Sequence, residues 1–397
     1  MTPTRSETNN LLLRLWRNQE SRAVIIQIVT MAVLFVFIAL IARNIVINLA
    51  AVGKEFSFNF LMWPAAYDIT FSPFIEYTNQ STHLRAATVG ALNTLLVAFF
   101  GIILASILGF TLGILRLSSN WLVNRIAYVF LEFMRNVPVL IPILALYSLI
   151  VVLLPPAKKA INIGDGTFFL SNRGFYVPSP VFESGAGIVG VVLIIAIVCV
   201  ILFKRWAKKV QNETGKIYPV FWISTAVIVG TTGIAFLATG MPLSWDMPVL
   251  KGFNFKGGMA LKPEFLALWL ALSYYTACFI AEIVRAGILA VSHGQTEAAR
   301  AMGLRPNRTL QLIVIPQALR VIVPPLCSQY LNLTKNSSLA IAIGYMDITA
   351  TLGGISLMQT GREMETMMIV MGFYLVISLT ISAFMNWFNQ RIKLTER

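Results

Sequence analysis

Long apolar runs separated by polar, mostly basic segments set the pattern of this chain. Each run is roughly 18 residues or longer, enough to cross a bilayer core as a helix. The runs predict spans at about 23–43, 91–115, 137–154, 185–203, 217–239, 264–290, 321–344 and 366–387. Before the third lies "LVNRIAYVFLEFM" (122–134), whose alternating faces read as an amphipathic helix lying at the interface. Small residues in 91–115 suit close helix packing. Pro138 and Pro142 are expected to kink the third span. The seventh is interrupted by "TKNSS" and reads as a broken helix. The segment before the first span is too long and polar for a signal-peptide n-region, so that span is expected to be retained.

Composition agrees. Of 397 residues 57% are hydrophobic and only 12% charged, and mean hydropathy is +0.75. A soluble domain carries about twice that charge. The fold class is therefore an all-α integral membrane protein with about eight transmembrane helices.

The net charge of +14 would suit nucleic acid, but the cations sit in the flanks of the spans, so no nucleic-acid partner is expected. With the N-terminus in the cytoplasm, the inward flanks hold Arg5, Arg14, Arg17 and Arg22, then Arg116, Arg125 and Arg135, then Lys204, Arg205, Lys208, Lys209 and Lys216. Arg285, Arg300, Arg305, Arg308 and Arg320, and finally Arg391, Lys393 and Arg397, lie on the same side. The outer segments hold roughly half as many, which fixes both termini inside. Trp63, Trp121, Trp222, Trp245 and Trp387 read as interfacial anchors. Cys199, Cys278 and Cys327 lie in apolar segments without ligand spacing and read as free core thiols; with His83 and His293 on opposite predicted sides, no metal site is expected.

One inward loop is more elaborate than a connector needs: "EAARAMGLRPNRTLQLIVIPQAL", 297–319. Glu, Ala, Arg and Met favour helix. Gln295 or Thr296 can start it, Glu297 suits the positive end of its dipole, and Gly303 suits a left-handed stop. Arg305 and Pro306 make a turn, and Asn307 can cap a second helix. The result is a basic, partly apolar hairpin protruding into the cytoplasm.

This loop resembles the EAA loop of ABC importer permeases, through Glu297, Ala298, Ala299, Gly303, Ile313 and Pro316, with Ile315 where the pattern has leucine. The resemblance implies a type I ABC importer permease core in which Glu297, Ala298, Ala299, Gly303, Arg305, Ile313 and Pro316 couple to an ATPase. The chain carries no phosphate-loop motif of its own. Hence no catalysis and no cofactor are expected here; ATP and Mg would sit on a cytoplasmic ABC ATPase dimer. "LNTLLVAFFGIILASILGFTLGILRLSSN", "EFMRNVPVLIPIL", "FIAEIVRAGI" and "LTKNSSLAIAIG" are similar to permeases for polar amino acids. The enlarged layout is similar to general L-amino acid transporter permeases, bacterial inner-membrane proteins. That resemblance implies a second, homologous permease subunit, a periplasmic amino-acid-binding protein and a broad substrate range.

The organisation follows: 1–85 holds a cytoplasmic tail, the first span and an outer segment; 86–155 and 263–397 form the permease core, with the coupling loop at 291–318; 156–262 is an insert with two extra spans. Within the core, Lys335 would be costly in lipid, so it should face a cavity or a partner, with Asn336, Ser337 and Ser338 beside it as a candidate substrate path. An alternative is that Lys335 neutralises a carboxylate or meets the companion subunit. Glu132 with Arg135 and Glu282 with Arg285 are spaced to pair on a helix face, as a gate or as structural pairs. The rival reading of the whole is an ion-gradient-driven secondary transporter, which predicts inverted repeats around deep carboxylates.

Overall fold

The computed structural model describes residues 19–51 and 53–392. The tail cations Arg5, Arg14 and Arg17, and Lys393 and Arg397, lie outside these residues. The fold is helical: α1 is Gln19–Ala51, α2 His83–Leu115, α3 Trp121–Arg135, α4 Leu140–Leu153, α5 Ala186–Thr214, α6 Val220–Ala238, α7 Pro263–Leu289 and α8 His293–Ala301. α9 is the continuous run Pro306–Ile343, α10 the helical run 348–360, and α11 Glu363–Ile392. Among the described residues, seven helices are long and apolar enough to span a bilayer, and an eighth follows if the bent pair α3–α4 forms one span.

The core is built on α2 and α7, the most extensive helix contact in the chain. Val97 and Ala105 of α2, Leu268, Leu272 and Ile280 of α7, and Ile322 and Leu333 of α9 are among its enclosed members, with Ile143 of α4 against them. α2 and α4 are apolar all round, as expected where one face meets protein and the other lipid, whereas α9 keeps a polar side with Gln317, Arg320 and Lys335. Two glycines one turn apart bring α2 onto α7: a Cβ at Gly109 would stand 2.5 Å from Ile280 Cγ2, and one at Gly113 2.7 Å from the Ala281 carbonyl oxygen.

Three expectations need correction. Pro142 makes no kink: it sits in the first turn of α4, where its missing N–H costs nothing, and the bend falls instead at Pro138, in the break between α3 and α4 where the chain turns by 104°. α4 alone is about 21 Å long. The seventh span is not broken at "TKNSS". The α-helix runs to Asn336, tightens to a 3₁₀ turn over Ser337–Ile343 and ends at Gly344 with φ +76°. The hydroxyls of Thr334, Ser337 and Ser338 donate to the carbonyls of Tyr330, Thr334 and Lys335, each at 2.8 Å, so these polar side chains are satisfied by their own helix. Cys199 is no core thiol: it is exposed on α5, whereas Cys278 is buried and Cys327 half-buried. α5 packs mainly on α6 and has little else to be buried against.

The segments on the side of the spans opposite α8 hold the β-structure. The insert contributes β1 (Ile161–Ile163), β2 (Phe168–Ser171), β3 (Gly174–Val177), β4 (Ser179–Phe182), β5 (Leu243–Asp246), β6 (Val249–Lys251), β7 (Asn254–Lys256) and β8 (Met259–Leu261). They form a four-stranded antiparallel sheet, β1-β2-β3-β8, and the hairpin-like pairs β4–β5 and β6–β7. A second outer layer ties 54–82 to the connection between α9 and α11. Lys54 Nζ meets Glu363 at 3.1 Å, Ser57 N–H donates to Glu365 at 3.0 Å, and the Arg362 guanidinium donates to the Glu55 carbonyl.

Candidate coupling hairpin and translocation path

The hairpin forms as the pattern predicts, with shifted ends. α8 begins at His293, after Ser292, rather than at Gln295 or Thr296, and His293 Nδ1 and Glu297 Oε1 meet at 3.0 Å across its first turn. Gly303 has φ +76°; its N–H donates to the Arg300 carbonyl at 2.9 Å and the Leu304 N–H to the Ala299 carbonyl at 3.1 Å. That pair of bonds closes the helix end and needs a residue free to adopt left-handed backbone. Asn307 does not cap the next helix. Arg305 holds the extended N-cap backbone and Pro306, with φ already fixed, starts α9.

Exposure then defines a surface. Glu297, Ala298, Arg300, Gly303, Arg305 and Arg308 are open, and Met302 is 71% exposed at the tip. Ala299 is wholly buried and anchors the hairpin from beneath. Gln317 of α9 reaches Gln295 of α8 at 3.3 Å, bracing the two arms. Ile313 and Pro316 are half-buried in the base, where Leu310–Val314 relaxes into a single π-turn just before the proline. A π-turn there lets the ring sit without a clash in the ladder. With Arg300 and Arg305 exposed within three residues of Met302, the tip of the braced hairpin presents an apolar and basic surface.

Both sequence-predicted ion pairs meet. Arg135 reaches Glu132 at 3.0 Å, and Arg285 reaches Glu282 at 2.6 Å. The sequence reading missed Arg116, whose guanidinium comes from the end of α2 to Glu282 at 3.4 Å and links α2 to α7. It also stacks on the Tyr128 ring, 4.8 Å from its centre.

The four residues of the candidate path diverge. Lys335 is exposed and, with Ser338, lines an open groove of about 530 Å³ with Val370, Met371, Gly372, Tyr374 and Leu375 of α11. Lys335 has no carboxylate partner among the described residues. Asn336 is half-buried, and Ser337 turns inward, wholly buried, with its Oγ 3.5 Å from Tyr374 Oη. Tyr374 therefore borders the groove on one side and donates on the other to Asp347, at 3.2 Å. Asp347 caps the start of α10 through the Ala350 N–H at 2.8 Å. The signal for Asp347 was present as an aspartate immediately before a helical run that starts at Ile348. Burial pushes its carboxyl up to about 6, against the hydrogen bonds from Ala350 and Tyr374. His83, buried, bonds Ser356 Oγ at 2.8 Å and holds no ligand position.

Comparison with known proteins settles the class. Residues 101–394 match the family described as the inner membrane component of binding-protein-dependent transport systems. The chain belongs to this family. It is a multi-pass permease subunit of a bacterial ABC importer and not itself an enzyme, since these systems carry the ATPase and a second permease as other subunits. Ion-gradient-driven transport is set aside. The permease is 46% identical over 376 residues to the general L-amino acid transport system permease protein AapQ of Rhizobium johnstonii, covering 95% of this chain and 93% of that one. It is 45% identical to the putative amino-acid ABC transporter permease protein YhdX of Escherichia coli, covering 96% of each. It is 45% identical to the glutamate/glutamine/aspartate/asparagine transport system permease protein BztB of Rhodobacter capsulatus, covering 95% of each. These alignments run over nearly the full length of each chain.

Proposed function

We propose that this permease carries amino acids inward, with a broad range of L-amino acids, as one of two unlike membrane halves. The reading rests on one observation above others: a braced, solvent-exposed hairpin with an apolar and basic tip, in a chain that shares nearly its whole length with amino-acid permeases. Glu297, Ala298, Ala299, Gly303 and Arg305 dock on a cytoplasmic ATPase, Ile313 and Pro316 stiffen the arm that carries the motion into α9, and ATP with Mg is held by the ATPase. A periplasmic amino-acid-binding protein delivers substrate to the outer layer. Both termini face the cytoplasm, as the basic flanks indicate.

Lys335 and Ser338 face the pathway or the companion permease, where an unpaired ammonium suits a substrate carboxylate. The Arg116–Glu282–Arg285 pairs pin the cytoplasmic end of α2 to α7, and Glu132–Arg135 stays within α3 as a structural pair. The test is a mild-detergent pull-down with site-directed cross-linking from Met302→Cys. Recovery of a P-loop ATPase cross-linked at this position, together with a second permease, supports the docking role. Recovery of both partners with cross-links only elsewhere refutes it.

A further inference from the structure

The mouth of the α5–α6 hairpin is a second basic surface, away from the coupling hairpin. Two membrane crossings, α6 and α7, separate it from α8, so both surfaces lie on one face of the membrane. α5 is 29 residues long, about 43 Å, which exceeds a hydrocarbon core by roughly 13 Å. Its lipid-facing run, including Ile194, Ile201 and Leu202, ends directly at Lys204. The next turn and a half carries Lys204, Arg205, Lys208 and Lys209, all exposed. At 3.6 residues per turn these four sweep an arc of about 140°. Ala196, Val200 and Ala207, the buried residues of α5, lie on the other side. The cations therefore point away from α6, at the depth where the helix leaves the hydrocarbon.

Aromatic rings mark that depth. Trp206 stacks near Tyr218 at 5.3 Å and Phe203 at 5.9 Å, and Lys216 lies 5.3 Å over the Tyr218 ring. Such rings settle at headgroup level. The charge is also uncompensated. Among the described residues Lys204, Arg205 and Lys208 have no carboxylate partner, and Lys209 has only the exposed Glu213 at 3.8 Å. At the mouth of α2, α3 and α7, by contrast, Arg116, Arg135 and Arg285 are paired with carboxylates and, among the described residues there, Arg125 alone lies only over a ring, that of Tyr128. Orientation alone needs cations on this side; it does not need four of them on one outward arc.

We propose that the α5–α6 mouth binds the headgroups of anionic phospholipids, with Lys204, Arg205, Lys208 and Lys209 on the phosphate and Trp206 at the glycerol level. The inference requires only that the chain spans the bilayer, not that it carries amino acids or docks an ATPase through α8. The test uses the purified complex in nanodiscs of phosphatidylcholine doped with brominated phosphatidylglycerol or brominated phosphatidylcholine. Quenching of Trp206 is read as the difference between wild type and Trp206→Phe. Relative association should favour phosphatidylglycerol on the order of tenfold. In Lys204→Gln/Arg205→Gln/Lys208→Gln/Lys209→Gln it should fall to near parity. Glu213→Gln should raise it, and this variant leaves the cations that orient the hairpin in place. Parity in the wild type, or no response to Glu213→Gln, overturns the proposal. So does release of the lipid by inorganic phosphate at matched ionic strength, which would mark a site for free anions.

Discussion

The approach of α2 to α7 can be tested at two atoms. Gly109 and Gly113 are one turn apart and face the same helix. A Cβ at Gly109 would lie 2.5 and 2.6 Å from Ile280 Cγ2 and Cβ, and one at Gly113 2.7 Å from the Ala281 carbonyl oxygen and 2.8 Å from Val284 Cβ. Ordinary contact is about 3.5–4.0 Å, so each methyl is short of room by roughly 1 Å. Neither neighbour can withdraw: Ile280 is 0% and Val284 1% exposed, and the Ala281 oxygen belongs to the backbone. The helices must part, and the enclosed residues around them lose contact. At about 1–3 kcal/mol for each overpacked site, Gly109→Ala/Gly113→Ala should cost roughly 2–6 kcal/mol. Gly230 of α6 is the control, because nothing lies within 4 Å of its Cβ position. Gly230→Ala should be neutral or slightly stabilising, since alanine favours helix by up to about 1 kcal/mol. Reversible unfolding of the purified chain by SDS in mild detergent, followed by tryptophan fluorescence, gives both numbers. A double variant within about 0.5 kcal/mol of wild type would refute the close-packed contact.

Three further outcomes bear on function and on the outer layer. Gly303→Glu forces a left-handed backbone on a residue with a side chain, at about 1–2 kcal/mol, and puts a carboxylate among the arginines. Membrane insertion should be normal while ATP-driven uptake falls tenfold or more; normal uptake would remove the docking role. Lys335→Met should change the uptake KM without loss of assembly, measured in proteoliposomes, and unchanged kinetics would return Lys335 to a structural role. Asp347 gives a pH dependence: its carboxyl sits at about 6 when folded against 3.8 when free, so the folded form holds the proton more tightly. The stability this contributes is complete below about pH 4 and is lost as pH rises through about 6, roughly 3 kcal/mol at most. Thermal unfolding should therefore come earlier at pH 7 than at pH 5 in the wild type. Asp347→Asn should flatten the difference, and an equally steep profile in that variant would assign the titration elsewhere.

What the sequence could reveal follows from the range over which each signal acts. Spans and the coupling hairpin were legible because hydropathy and a glycine stop are local: Gly303 needs only its own φ, and the apolar runs need only their length. The 104° elbow between α3 and α4 was half legible. Pro138 announced a break, but the angle depends on Leu131 packing against Cys278 and Ala281, a contact well over a hundred residues distant in sequence. The misreading of "TKNSS" has the opposite cause. Its polarity is real, yet Thr334, Ser337 and Ser338 spend their hydroxyls on carbonyls within one turn, and a local pattern cannot distinguish a hydroxyl aimed at its own helix from one aimed at a cavity. Once those three are accounted for, Lys335 remains on the open side and Asn336 half-buried beside it, while Ser337 also approaches Tyr374, and through it Asp347, on the closed side. Tyr374 touches both environments. Tyr374→Phe removes the bond to Asp347 and leaves the ring at the groove, so altered uptake with normal assembly would show that the groove and the start of α10 act together, and unchanged uptake would show that they do not.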